Sequence, residues 1–425
     1  MNQSYYPKNK KRIFYGWWVI AACSAMVFFA SGIFFRGFTV LVPAMRDSLG
    51  ISQMRTNLIF AIARSEGGLE GPFAGWFIDK WGNKKILIPM VVLAGTGYLL
   101  FSIYVRNYWS FALIYLGVIS LGNSVGFQHA LFAGVNNWFN RKRSLAISTL
   151  AAISSLGGLA MVPLLNLLID WKGWKAATFV SGICYFLIIL PLTYFFKNKP
   201  EDMGLYPDGD PVPRQIVGAG GESSEIRGYT VKEALRNRAF WLLLFGVGLR
   251  MLATMGILVT IVPILETKGI SRQTAANLTG LMFGINFLSR MIVGYMGDYV
   301  PKQYILTVTL ILEGTAFICL FYSGPTSYGL ILIWFFIVFE GLGDGAGIIV
   351  WATLGDYFGR EKFASLRGII TFSHSWALIV SPLFAGWAFD TFGDYQMVLL
   401  LSGVCAYMAG ACFVFISRPP TLTIK

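Results

Sequence analysis

The sequence predicts an all-α membrane protein, with twelve transmembrane helices arranged as two pseudo-symmetric six-helix bundles. Three observations carry the prediction. First, of 425 residues 56% are hydrophobic and only 13% charged, against roughly 25% charged in a soluble domain. Second, the apolar residues come in blocks of roughly 20, long enough as helix to cross about 30 Å of hydrocarbon. In lipid the backbone must satisfy its own hydrogen bonds, so such blocks are helices. Third, the chain repeats itself. Gly75 maps onto Gly294 and Asp79 onto Asp298 at an offset of 219 positions. The same offset carries Gly50-Ile51-Ser52 onto Gly269-Ile270-Ser271, Arg141 onto Arg360 and Pro163 onto Pro382.

The spans are expected at 16–41, 57–78, 86–105, 109–136, 145–169 and 176–196, then at 239–265, 273–298, 303–323, 327–354, 365–388 and 394–417. This gives a first bundle over 1–196, a linker over 197–238 and a second bundle over 239–425. The linker, beginning PEDMGLYPDGDPVPR after Lys199, is rich in Gly, Pro and charge and is expected to be irregular. Near its end Thr230 and Glu233 have the spacing of a capping box, which predicts a short surface helix before span seven.

The net charge is +13. Lys and Arg concentrate in the termini and in one alternate set of loops, so the positive-inside rule places both termini and the linker in the cytoplasm. The charge reads as topology, and no nucleic-acid partner is expected. The first apolar run is too long for a signal-peptide core. The five Cys all sit in apolar runs and read as small buried hydrophobes. No cluster of metal-ligating residues and no GxxxxGK[ST] is present, so no metal, cofactor or nucleotide is expected.

The turn between spans two and three, GWFIDKWGNKK, places Gly75, Asp79, Gly82, Lys84 and Lys85 in a G-x-x-x-D-x-x-G-x-K/R-K/R pattern, with a degenerate copy, GYMGDYVPK, after span eight. In these motifs and in its two halves the chain resembles the major facilitator superfamily. Lys80 and Asn83 stand where that family usually carries Arg, and the second copy loses one Gly. The resemblance implies a solute path between the halves and a gate latched by Gly75, Asp79 and Lys84 with their counterparts Gly294 and Asp298, and by Arg141 and Arg360. Within the superfamily the chain is most similar to monocarboxylate and oxalate/formate-type transporters. The opening FYGWWVI, Arg36 in RGFTV, Arg290 four residues before Gly294, and His374 in span eleven carry this similarity. One departure stands out: proton-coupled monocarboxylate transporters place an Asp four residues before the span-eight Arg, and here that residue is Asn286.

Ionisable groups inside spans are costly and therefore candidate functional groups. Arg290 and Asn286 lie one turn apart on one face of span eight. A guanidinium offers a carboxylate a planar two-point clamp, so Arg290, Asn286, His374, Arg36 and Gln128 form the expected anion site. The rival for Arg290 is an ion pair with Glu313 or Glu340. Arg250 must face the cavity or pair with an acid. Glu66 and Glu70 in span two, and Glu340 and Asp344 in span ten, are carboxylate pairs one turn apart. With His374 they are the candidates for carrying protons, unless Arg64, Arg250 or Arg290 neutralises them. Phe35, Phe127, Trp351 and Phe372 could shape an apolar wall.

The expected function is secondary transport of a small organic anion, a monocarboxylate in the first instance, by alternating access in the plasma (cell inner) membrane. Protons or a counter-anion would drive it, and the chain would act as a monomer. The alternatives are a proton-coupled exporter of hydrophobic or cationic compounds and a non-transporting membrane sensor. An enzyme is not expected, since neither HExxH nor GxSxG occurs.

Overall fold

A computed structural model describes residues 14–51, 53–210, 215–217, 223–324, 326–419 and 422–424. Twelve helical spans run through it. The first half consists of α1 (15–49), α2 (53–81), α3 (Asn83–Tyr104), α4 (Tyr108–Trp138), α5 (143–172) and α6 (174–192). The second half consists of α7 (Arg238–Thr267), α8 (Arg272–Met296), α9 (Lys302–Tyr322), α10 (327–358), α11 (Phe363–Phe392) and α12 (Gln396–Val414). Among the described residues, ten helices are long and apolar enough to cross a membrane by themselves. One of them, 50 residues long, bends sharply at Gly173, where φ is 80°, and so makes two spans. Only glycine adopts that backbone without strain. The twelfth span, α2, is more polar than the rest because it carries the interface between the halves.

Three spans contain π-helical stretches: Ser31–Arg36 in α1, Tyr115–Ser120 and Ser124–Ala130 in α4, and Tyr185–Ile189 in α6. A π turn inserts an extra residue and re-aims the side chains around it. Arg36 closes one such stretch, and Gln128 and His129 lie in another.

Both ends of the described chain and the linker lie at one end of the bundle, called here the terminal end. There the halves are sealed. The inner part of α2 packs along the start of α11, and α5 packs along α8. The contact is backbone-close: a Cβ on Gly71 would sit 2.7 Å from the Gly368 carbonyl oxygen, and one on Gly75 2.2 Å from that of Ala364. On the other side, a Cβ on Gly294 would meet the Ser148 side chain at 2.4 Å. Small residues permit such approach. The hydrogen bonds from Asp79, Asp298, Arg143, Arg290, Arg360 and Arg367 to the opposite half lie between the middle of the bundle and the terminal end. They close the halves at the terminal end.

The linker is more ordered than its composition predicts. It forms two 3₁₀ turns, Pro200–Met203 and Pro207–Gly209, and two strands, β1 (Gln215–Val217) and β2 (Ser223–Arg227). β2 also pairs antiparallel with β3 (Leu422–Ile424) near the C-terminus, with Glu225 opposite Ile424. Strands of three to five residues set among Gly and Pro leave no alternation long enough to read in sequence. The capping box forms as expected, with Thr230 and Glu233 exchanging hydrogen bonds ahead of the short helix Val231–Leu235.

Candidate functional site

The middle of the second half holds a network of charged residues. Arg250 of α7 donates through Nε and Nη2 to Glu313 Oε1 of α9 at 3.1 and 2.7 Å, and through Nη2 to Asp344 Oδ1 of α10 at 2.7 Å. The other oxygen of Asp344 accepts from the Asn286 amide at 2.7 Å and lies 3.5 Å from Arg290 Nη2. Glu313 is fully buried and Arg250 nearly so. Buried charges persist only when paired and hydrogen-bonded, and Arg250 serves that purpose for two acids at once.

This network corrects the partners expected from sequence. The acid beside Arg290 is Asp344; Glu313 belongs to Arg250. Asp344 is itself compensated by Arg250, Asn286 and Arg290, so its charge is stabilised where it stands. Glu340, one turn away, differs: it is buried beside Asn286, Gly341 and Asp344, and its Oε2 meets no hydrogen-bond donor.

Arg290 is only partly engaged. Its Nη1 donates to Ser155 Oγ of α5, in the other half, at 3.2 Å, and its Nε is unpartnered. One turn along α5, Gly158 makes room for the stem of Arg36, since a Cβ there would lie 2.5 Å from Arg36 Cγ. The stem of Arg36 therefore lies over the α5 turn next to the one that meets Arg290. One arginine from each half thus packs on α5, where the halves meet.

His374 is buried, with Nδ1 unpartnered. Gln128 contributes its backbone carbonyl, which accepts from Arg367 Nη1. Arg367 and Ser155 were not foreseen. The signal for Arg367 was present, as a lone cation in span eleven seven residues before His374; nothing in the sequence marks Ser155. Phe127 is fully buried and meets Tyr185 edge-on at 5.9 Å within the first half, so it packs that half and does not line a path. Glu70 is half-buried at the α2 turn. The side chains of Arg64 and Glu66 lie outside the described ones.

At the terminal end Asp79 Oδ2 accepts the backbone N–H of Ser365 at 2.9 Å. Asp298 accepts those of Ser144 and Leu145 at 2.8 and 3.2 Å. Each carboxylate thus sits on the first turn of a helix in the opposite half, where free N–H groups and the helix dipole favour an anion. Arg143 and Lys302 converge on Asp356 at 2.6 and 2.5 Å. Arg141 pairs with Asp210 of the linker, and Arg360 pairs with linker Glu201 while donating to the Asn137 carbonyl. Lys84 stays within the first half, donating through Nζ to the Tyr194 carbonyl at 3.2 Å.

A twelve-span pseudo-symmetric bundle with charged groups at its centre and a sealed end defines a membrane carrier. The sequence matches the Major Facilitator Superfamily over residues 20–354 and 243–425, and the chain belongs to that family. It is 24% identical to monocarboxylate transporter 12 of Xenopus laevis over 96% of this chain and 92% of that protein. It is 23% identical to human monocarboxylate transporter 2 over 93% of this chain and 84% of that one. Among solved structures, the E. coli fucose:proton symporter FucP aligns with a TM-score of 0.72 at 14% identity, covering 95% of this chain and all of that one. The protein is an integral membrane secondary transporter and not an enzyme.

Proposed function

We propose that this transporter carries small organic anions, monocarboxylates first, across the plasma membrane by alternating access, with both termini cytoplasmic. The observation that carries the reading is the convergence of Arg36 and Arg290, one from each half, on adjacent turns of α5, with Arg290 Nε unpartnered. A carboxylate bound there would touch both halves, so its binding would be coupled to their relative movement. Relatives matched over most of their length are monocarboxylate transporters, which agrees with that chemistry.

The reading extends to protons through Glu340, a buried acid one turn from Asp344 whose Oε2 meets no hydrogen-bond donor. An ionised carboxylate left without a partner inside the bilayer is costly, so Glu340 is the proposed proton carrier. Asn286 stands where proton-coupled monocarboxylate transporters place an Asp, and here the acid beside Asn286 and Arg290 comes from α10, as Asp344. The test is counterflow of radiolabelled acetate, pyruvate and lactate in proteoliposomes, with and without a pH gradient. Saturable uptake stimulated by an inward proton gradient is expected. The reading fails if no monocarboxylate exchanges under either condition.

A further inference from the structure

Arg367 lies between the central site and the sealed end, two residues beyond the gate contact at Ser365 and seven before His374. It is buried. Its Nη1 donates to the Gln128 carbonyl of α4, and its guanidinium lies 4.5 Å from the ring centre of Phe132 and 4.8 Å from that of Trp351. Two aromatic faces and one carbonyl soften the burial of a cation, but they supply no negative charge. Among the described residues no acid pairs with Arg367, and its Nε has no partner. This contrasts with Arg250, Arg290, Arg143 and Arg360, each of which has an acid within reach.

The two histidines of the chain flank this cation. His129 of α4 contacts the Gly67 carbonyl through Nε2 at 3.2 Å, and His374 lies two turns along α11. Both are buried, and both have an unpartnered Nδ1; His129 adjoins Gln128, whose carbonyl accepts from Arg367. Arg367 stands at the seam of the halves, joined across it to the Gln128 carbonyl, between the central site and the gate contact at Ser365.

We infer that Arg367, with His129 and His374, forms a second anion-binding station, which receives the carboxylate of the solute once the terminal end opens. Gln128 and Phe132 belong to the first half, whereas Arg367 and Trp351 belong to the second. When the halves part there, Arg367 loses its carbonyl partner and one aromatic face, and its fork turns free toward the passage. A carboxylate supplies the missing counter-charge in two-point geometry. The station rests on the reading of the transporter as an anion carrier. It adds an inner affinity that the outer pair Arg36 and Arg290 does not set.

The test measures KM separately at the two faces in proteoliposomes of defined sidedness, using radiolabelled acetate, pyruvate and lactate. Arg367→Gln is expected to raise KM at the terminal face by roughly tenfold or more, as loss of a desolvated charge contact does, and to leave KM at the opposite face unchanged. A role as a latch alone gives the opposite sign. Weakening a latch favours the terminal-open state, which lowers KM at the terminal face and raises it at the other. That result, or an unchanged terminal KM, overturns the station while wild-type uptake stands. Absence of monocarboxylate uptake by the wild-type chain overturns the transport reading and the station with it. Arg367→Lys, which keeps the charge and the aromatic contacts, guards against misfolding, and is expected to show an intermediate terminal KM.

Discussion

Asp79 accepts the backbone N–H of Ser365 at 2.9 Å, so a carboxylate at the end of α2 completes the first turn of α11 in the opposite half. Asp298 does the same for α5 through Ser144 and Leu145. The two contacts are related by the internal repeat, and both bridge the halves at the terminal end. A charge on a helix N-terminus in a partly buried setting contributes up to about 2 kcal/mol.

Asp79→Asn and Asp298→Asn are each expected to shift the halves toward opening at the terminal end, and the double substitution further than either alone. A cysteine replacing Ala133, which with Asp79, Arg143 and Asp356 lines a cavity at the terminal end, in a cysteine-free background reports the shift. Its labelling rate by a membrane-impermeant thiol reagent should rise with each Asn, while substrate binding stays nearly intact. Unchanged labelling in the double variant would remove the gate role of both aspartates.

Arg250 holds Glu313 and Asp344 together, so its loss should be felt as instability before it is felt as lost transport. Arg250→Gln leaves Glu313 buried and unpaired, at a cost of about 3–5 kcal/mol. Thermal unfolding in detergent should show a lower midpoint for Arg250→Gln, with part of the loss recovered in Arg250→Gln/Glu313→Gln. A midpoint equal to wild type in the single variant would mean that the pair contributes nothing to holding the second half together.

Much of this was legible in the sequence. Span lengths follow from bilayer thickness, and the repeat follows from identical residues at one offset, because both leave local marks. Asp79 and Asp298 were legible for the same reason. What could not be read was which acid meets which cation. Arg290 is 54 residues from Asp344 in sequence, and Arg250 is 63 from Glu313; only the crossing of α7, α8, α9 and α10 decides among the pairs. Ser155 was invisible because a serine in an apolar span resembles packing. The linker strands were hidden because three paired residues have no period, and the outer partner of β2 lies about 200 residues on, near the C-terminus.

The orientation is tested by a cysteine at exposed Met203, on the 3₁₀ turn of the linker, in a cysteine-free background. Labelling is expected only after the membrane is permeabilised. Labelling of intact cells would reverse the proposed topology, and the terminal end would then face outward.

The central claim, that Arg290 binds the transported carboxylate, is tested most directly by calorimetric titration of the purified protein with acetate, pyruvate and lactate. Asp344 competes with the substrate for Arg290 and lies 3.5 Å from it. Arg290→Gln is expected to weaken binding by roughly 2–5 kcal/mol, and Arg290→Lys to bind weakly because the two-point geometry is lost. Wild-type affinity in Arg290→Gln would contradict the account and leave Arg290 as no more than the counter-charge of Asp344.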